Sequence, residues 1–209
     1  MKVLLVNGSS RPKGCTYTAL SEVAGALEGA GIGTEIIQLG GEPVKDCIGC
    51  GACRKLDSAC AFADNGVNEF IQKAKEADGF VFGTPVYYAH PSGRILSFLD
   101  RAFYAAGPEV FAYKPGAAVA SARRAGTTAS LDVLNKYFTI AQMPVVSSQY
   151  WNMVHGNTPD EVRRDEEGLQ IMRTLGKNMA WLLQSIEAGK RAGVALPARE
   201  PRIGTNFIR

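Results

Sequence analysis

The chain has 209 residues, 46% hydrophobic and 21% charged, which bounds it to one globular core of ordinary size. A formal charge of +3, dispersed with no polybasic run, argues against a nucleic-acid groove but suits a small phosphorylated ligand. No apolar segment approaches the roughly 20 residues that span a bilayer, and the opening MKVLLVNG offers no signal-peptide cleavage site, so a soluble cytoplasmic protein without membrane contact is expected.

In chain order, "KVLLV" at 2–6 is a continuous aliphatic run, the mark of a strand covered on both faces in a parallel sheet. The following "NGSSRPKGCTYTAL" sets Ser9, Ser10, Arg11, Thr16, Tyr17 and Thr18 around a turn that opens a helix over 15–30, with Leu20, Val23, Ala24 and Leu27 at helical spacing. Unpaired N–H groups and the positive end of a helix dipole meet an anion there, and Arg11 can bond to phosphate oxygens. The loop lacks both the G-x-x-x-x-G-K-[ST] pattern and the closely spaced dinucleotide glycines, so a monophosphate on a larger ring system fits it better. The plainer alternative is that these hydroxyls only satisfy turn and cap bonds.

"GIGTEIIQL" supplies a second strand, and "DCIGCGACRKLDSAC" then places Cys47, Cys50, Cys53 and Cys60 within fourteen positions. Helices are predicted at 67–77, 92–105, 127–142 and 165–188, and strands at "GFVFG" 79–83, "GAAVAS" 116–121 and "PVVSS" 144–148. Five strands alternating with five helices give an α/β doubly wound, five-stranded parallel sheet with helices on both faces. The domain is set at 1–190 with a cysteine-rich loop at 40–65, and 191–209, without helical period, is expected to run as an extended tail over the domain or onto a neighbouring subunit. Trp181, in register with Leu182 and Ile186, is expected in the core, and Trp151 against a flavin or a subunit contact. "RRDEE" at 163–167 reads as a solvated helix start, and His90 and His155 as supporting loop groups rather than general acids.

After the third strand, "GTPVYYAHPSGRILSFLDRA" brings a proline, two tyrosines and a small-residue turn to the carboxyl edge of the sheet, where open parallel sheets bind ligands. Tyr87 and Tyr88 there either face a flat heteroaromatic ring or cap the core. Together "GSSRPKGCT", "TPVYYAHPSG" and "SARRAG" resemble the flavodoxin-like NAD(P)H-dependent FMN reductase family over nearly the whole chain. Within it the chain looks most like the iron-sulfur flavoproteins, whose C-x2-C-x2-C-x4-7-C motif follows the second strand and whose tails look like "TNFIR". The resemblance implies that Ser9, Arg11 and Thr16 hold the FMN phosphate and that Pro85, Val86, Tyr87 and Tyr88 line the isoalloxazine. It further implies that Ser121, Arg123 and Gly126 approach the ring from the third loop, and that the flavin site is built at subunit contacts in a homodimer or homotetramer. Cys15 departs from it, standing where many relatives have asparagine.

Four thiolates this close can wrap one [4Fe-4S] cube, with Gly49 and Gly51 permitting the turns. A tetrahedral zinc usually draws on two separated pairs, and Cys47 with Cys50, or Cys50 with Cys53, also reads as a redox dithiol. All three readings stay open. The function expected is oxidoreduction from NAD(P)H through FMN to a quinone, a nitro or azo compound or a flavin, or onward through the cluster as single electrons, with Arg123 and Arg124 as candidates for the nicotinamide cofactor's phosphate. The rivals are a non-enzymatic electron carrier, disfavoured by the net positive charge, and an FMN-binding redox sensor.

Overall fold

In the computed structural model, which describes residues 1–63, 66–201 and 203–205, the aliphatic runs become strands of one parallel sheet. Residues 64–65 of the predicted cysteine-rich loop, and 202 and 206–209 of the predicted tail, lie outside the described residues. Strands β1 (Lys2–Asn7), β2 (Gly33–Gln38), β3 (Gly79–Tyr87), β5 (Gly116–Ala122) and β6 (Met153–His155) run in the order β2-β1-β3-β5-β6, and the short β4 (His90–Pro91) turns back antiparallel on the end of β3. The reversal of strand order falls between β1 and β3, so a ligand crevice opens above their carboxyl ends.

Strand periodicity divides the core into two layers. Leu4, Val6, Phe80, Phe82, Ala118 and Ala120 face α2 (Val67–Glu76), α3 (Gly93–Ala106), the short α4 (Pro108–Phe111) and α5 (Thr127–Ile140). The alternate residues Val3, Leu5, Val81, Ala117 and Val119 face α1 (Cys15–Gly29), α6 (Pro159–Arg164) and α7 (Glu166–Arg191). Aromatic rings fill the first layer: Phe82 stacks on Phe138 at 5.2 Å between centroids, and Phe70 meets Phe98 edge-on at 5.1 Å. Gly116 makes that packing feasible, because a Cβ there would lie 2.4 Å from the Phe138 ring.

Three expectations change. The fifth strand predicted at 144–148 forms only a single bridge, Gly116 to Val145, and the ladder resumes where Ala120 pairs with Met153. Eight positions on one side thus match four on the other, and the extra residues loop out. Polar bonds stabilise the excursion: Ser148 Oγ donates to Tyr150 O (2.6 Å), and Asn178 Nδ2 donates to Ser147 O (2.8 Å). Trp181 is 69% exposed rather than core, since the buried stripe of α7 runs through Met172, Leu175, Met179, Ala180 and Leu183 and leaves position 181 on the opposite side of the helix, about 180° from the centre of that stripe. Helix α6, absent from the predicted elements, is started by Thr158, whose Oγ1 accepts from Glu161 N–H (3.2 Å), with Pro159 in its first turn. In "RRDEE" the two arginines close α6, while Asp165 caps α7 by accepting from Gly168 N–H (3.0 Å).

Candidate functional site

The first loop is templated by two side chains at the ends of neighbouring strands. Asn7, fully buried at the end of β1, accepts from Ser9 N–H at Oδ1 (3.1 Å) and donates through Nδ2 to Pro12 O (3.4 Å) and Gln38 Oε1. Gln38, closing β2, donates through Nε2 to Ser9 O (2.7 Å). Neither residue figured in the sequence reading, although an asparagine ending an aliphatic strand was a visible signal. Ser9 is buried and its Oγ accepts from Arg11 N–H (3.1 Å), so its hydroxyl shapes the turn, while Ser10 and Arg11 stand exposed.

Helix α1 begins at Gly14 with no side chain capping it, which leaves its first-turn N–H groups available to an anion beside Ser10 and Arg11. Thr18 turns its hydroxyl back to Gly14 O (3.2 Å), and Tyr17 is half-buried. Thr16 is buried, and its Oγ1 lies 2.7 Å from Ser121 Oγ at the end of β5. That pair locks the first loop to the third. Cys15 donates its thiol to Gly156 O (3.6 Å), and burial pushes the thiol up from its ordinary pKa, so it remains protonated at neutral pH.

The second loop is a hairpin between β3 and β4, with positive φ at both Tyr88 (50°) and Ala89 (56°), the backbone of a primed turn built without glycine. It holds Tyr88 fully in solvent and Tyr87 half-exposed, with Pro85 and Val86 partly buried behind them. The third loop settles on this hairpin through Gly126, whose φ is 96° and where a Cβ would lie 2.4 Å from Ala89 Cα. Arg123 and Arg124 are exposed, and His155 Nε2 lies 3.1 Å from Arg124 O. Ser92 completes the assembly: its Oγ donates to Gly8 O (2.9 Å) and accepts from Ile95 N–H to cap α3. All three predicted loops therefore meet at one end of the sheet.

The four cysteines of the second constellation lie on the face of the sheet covered by α2 and α3. Cys47 and Cys50 are exposed, Cys53 and Cys60 half-buried, and all are free thiols. They line one shallow recess, open to solvent and backed by Arg101 and Tyr104. Gly49 (φ 65°) and Gly51 (φ 66°) take the left-handed turns between them, and Asn68 on α2 clasps Cys60 through its N–H (2.7 Å) and carbonyl (3.0 Å). Among the described residues no three His, Cys, Asp or Glu side chains converge to hold one metal ion. A four-iron cube takes one thiolate at each iron and a structural zinc takes up to four at one atom, so four cysteines in one segment suit the donor count of either.

Known proteins match the chain in sequence and in fold. A family model described as NADPH-dependent FMN reductase matches residues 1–158. The chain is 32% identical over 194 residues to an iron-sulfur flavoprotein of Methanocaldococcus jannaschii, covering 90% of this chain and 100% of that one. In three dimensions it resembles a flavodoxin from the domain Archaea (17% identity, TM-score 0.59, covering 88% of this chain and 99% of the other). It also resembles RosB, solved with a bound 8-demethyl-8-formylriboflavin-5'-phosphate intermediate (15% identity, TM-score 0.67, covering 100% and 94%). At these identities the structural likeness speaks for the fold, which is flavodoxin-like.

Proposed function

The chain belongs to the NADPH-dependent FMN reductase family, and from that premise we propose that it is an oxidoreductase that draws electrons from NAD(P)H through FMN and passes them to a separate acceptor. The observation that carries the reading is the meeting of three loops around the uncapped start of α1. Residues Ser9 to Arg11 and the first turn of α1 would hold the phosphate, with Ser10 and Arg11 free to reach it and Thr16 contributing backbone while its hydroxyl locks onto Ser121. Pro85 to Tyr88 would line the ring system, and Gly126 keeps that wall close to the third loop. Arg123 and Arg124 remain exposed for a nicotinamide cofactor's phosphate. When bound, FMN supplies hydride acceptance and onward electron release, and a cluster on Cys47, Cys50, Cys53 and Cys60 supplies single-electron transfer.

The recess formed by those four cysteines supports the cluster, and the matching relative bears the name iron-sulfur flavoprotein. The acceptor is then a one-electron redox partner in the cytoplasm; a quinone, a nitro or azo compound or a flavin takes that place if the thiols stay free. A homodimer or homotetramer is proposed, with Tyr88 and Trp151 exposed for a neighbouring subunit. The test is anaerobic purification with flavin, iron and sulfide assays per chain, followed by NADH and NADPH oxidation with an artificial acceptor. About one FMN, four irons and steady turnover are expected. FMN without turnover would favour the carrier or sensor, and absence of FMN affinity would refute the reading.

A further inference from the structure

A polar stripe runs down one side of α3 at positions 94, 97, 101 and 104, the three- and four-residue steps that stack side chains on one helix face. All four residues reach the cysteine-bearing segment. Arg94 donates to Glu42 O and, at 3.0 Å, to Gly41 O. Ser97 Oγ donates to Asp46 Oδ1, and the Tyr104 hydroxyl accepts from Arg54 Nη2 (3.4 Å). Arg101 spans the segment: Nη1 donates to Lys45 O (3.4 Å), Nη2 to Phe62 O (2.8 Å) and Nε to Cys60 Sγ (3.4 Å). Residues 41–62 contain no strand and only a single 3-10 turn, so side-chain bonds from α3 take the place of a backbone ladder.

Arg101 is the exceptional member of the stripe. It is 1% exposed, among the largest fully buried side chains of the protein, with its guanidinium 5.5 Å from the centre of the Phe62 ring. Withdrawing a guanidinium from water costs several kcal/mol before its bonds offset the loss, so a well-packed apolar residue would serve stability at least as well. What an apolar residue could not do is join the two flanks of the cysteine run at one point and offer N–H and positive charge to a sulfur.

We infer that Arg101 is a positioning residue for a cluster ligated by Cys47, Cys50, Cys53 and Cys60, closing the loop around it and tuning it through Cys60. The inference rests on the cluster reading above. Hydrogen bonds to ligand sulfurs, and the net charge around them, set the reduction potential of such centres, and a fixed cation favours the state with one more electron. The same helix begins at Ser92, bonded to the phosphate loop, so α3 mounts both sites on one rigid rod, with Arg101 about 13 Å along it from that cap.

The experiment compares wild type, Arg101→Met and Arg101→Lys after anaerobic reconstitution with iron and sulfide. FMN, iron and sulfide are counted per chain, and the cluster midpoint is followed by EPR during a dithionite titration. Arg101→Met should keep its FMN, lose iron, and show in the remaining clusters a midpoint lowered by at least a tenfold change in the reduction equilibrium, about 59 mV for one electron. Arg101→Lys, which restores charge but not the three-way bonding, should recover part of both. If Arg101→Met does not fold, Arg101→Lys alone decides, since iron content or midpoint must still differ from wild type. Wild-type iron content and midpoint in whichever variant folds overturns the role of Arg101. A wild type that binds FMN but no iron overturns the cluster reading, and the inference with it.

Discussion

At the scale of single residues, the candidate site depends on side chains that fasten loops together as well as on those that face outward. Thr16 and Ser121 are the clearest case, two buried hydroxyls 2.7 Å apart that join segments 105 positions distant in sequence. Thr16→Val removes one partner and leaves the other unpaired, which should cost about 1–3 kcal/mol in urea unfolding. Adding Ser121→Ala removes the orphan, so the double variant should lose less than the sum of the single changes, by on the order of 1 kcal/mol in a double-mutant cycle. Additive losses would show that the bond does not couple the loops. The sequence made both residues visible as candidates but assigned them to the ligand, because spacing does not reveal which hydroxyls are used by the protein itself. Arg101 was less visible still: within "SFLDRAF" it has the look of an ordinary surface position on an amphipathic helix, and only the placement of the 41–62 segment over α3 buries it.

At the scale of elements, the aliphatic runs identified β1, β3 and β5 because a strand covered on both faces must be apolar throughout. The fifth strand was misplaced for a related reason. "PVVSS" has the stronger β composition, while "MVH" is too short to announce itself, and nothing local says that one strand position is served by two separated pieces. Helix α6 was missed although "TPDE" carries its signal, a capping threonine with a proline and acids in the first turn, because six residues are too few to show a helical period. Packing between α1 and α7 yields a sharper test. A Cβ at Gly176 would lie 2.7 Å from Ala26 Cβ and 2.8 Å from Val23 O, so the two helices approach through that gap. Gly176→Ala ought to gain up to about 1 kcal/mol of helix propensity, yet the overlap with backbone should outweigh it and leave a net loss of about 1–3 kcal/mol. Chemical denaturation measures the balance, and a stabilised variant would mean that the helices can separate freely.

At the scale of the whole molecule, charge ties the outer layers to the sheet edge. Glu35 on β2 pairs with Lys2 on β1 (2.6 Å) and with Lys73 on α2 (2.7 Å). Bonds from Lys2 and Lys73 hold its carboxyl below the ordinary value of 4.5. A depressed carboxylate contributes its stability fully above the unfolded-state value and loses it as pH falls through the folded-state value. Glu35→Gln should therefore lower the melting temperature at pH 7 by less than about 3 °C, as a partly exposed ion pair allows. Scanning calorimetry should show the two proteins converging as pH drops below 4.5. The opposite sheet edge carries a different consequence, which follows from the looped-out residues between Val145 and Met153. A long, regular outer strand presents a row of open N–H and C=O groups onto which any extended chain can dock, the route to uncontrolled aggregation. Here the outermost strand is cut into one bridge and a three-residue piece, with a polar excursion between them. The interruption works as a safeguard, denying stray strands a template on that border of the sheet.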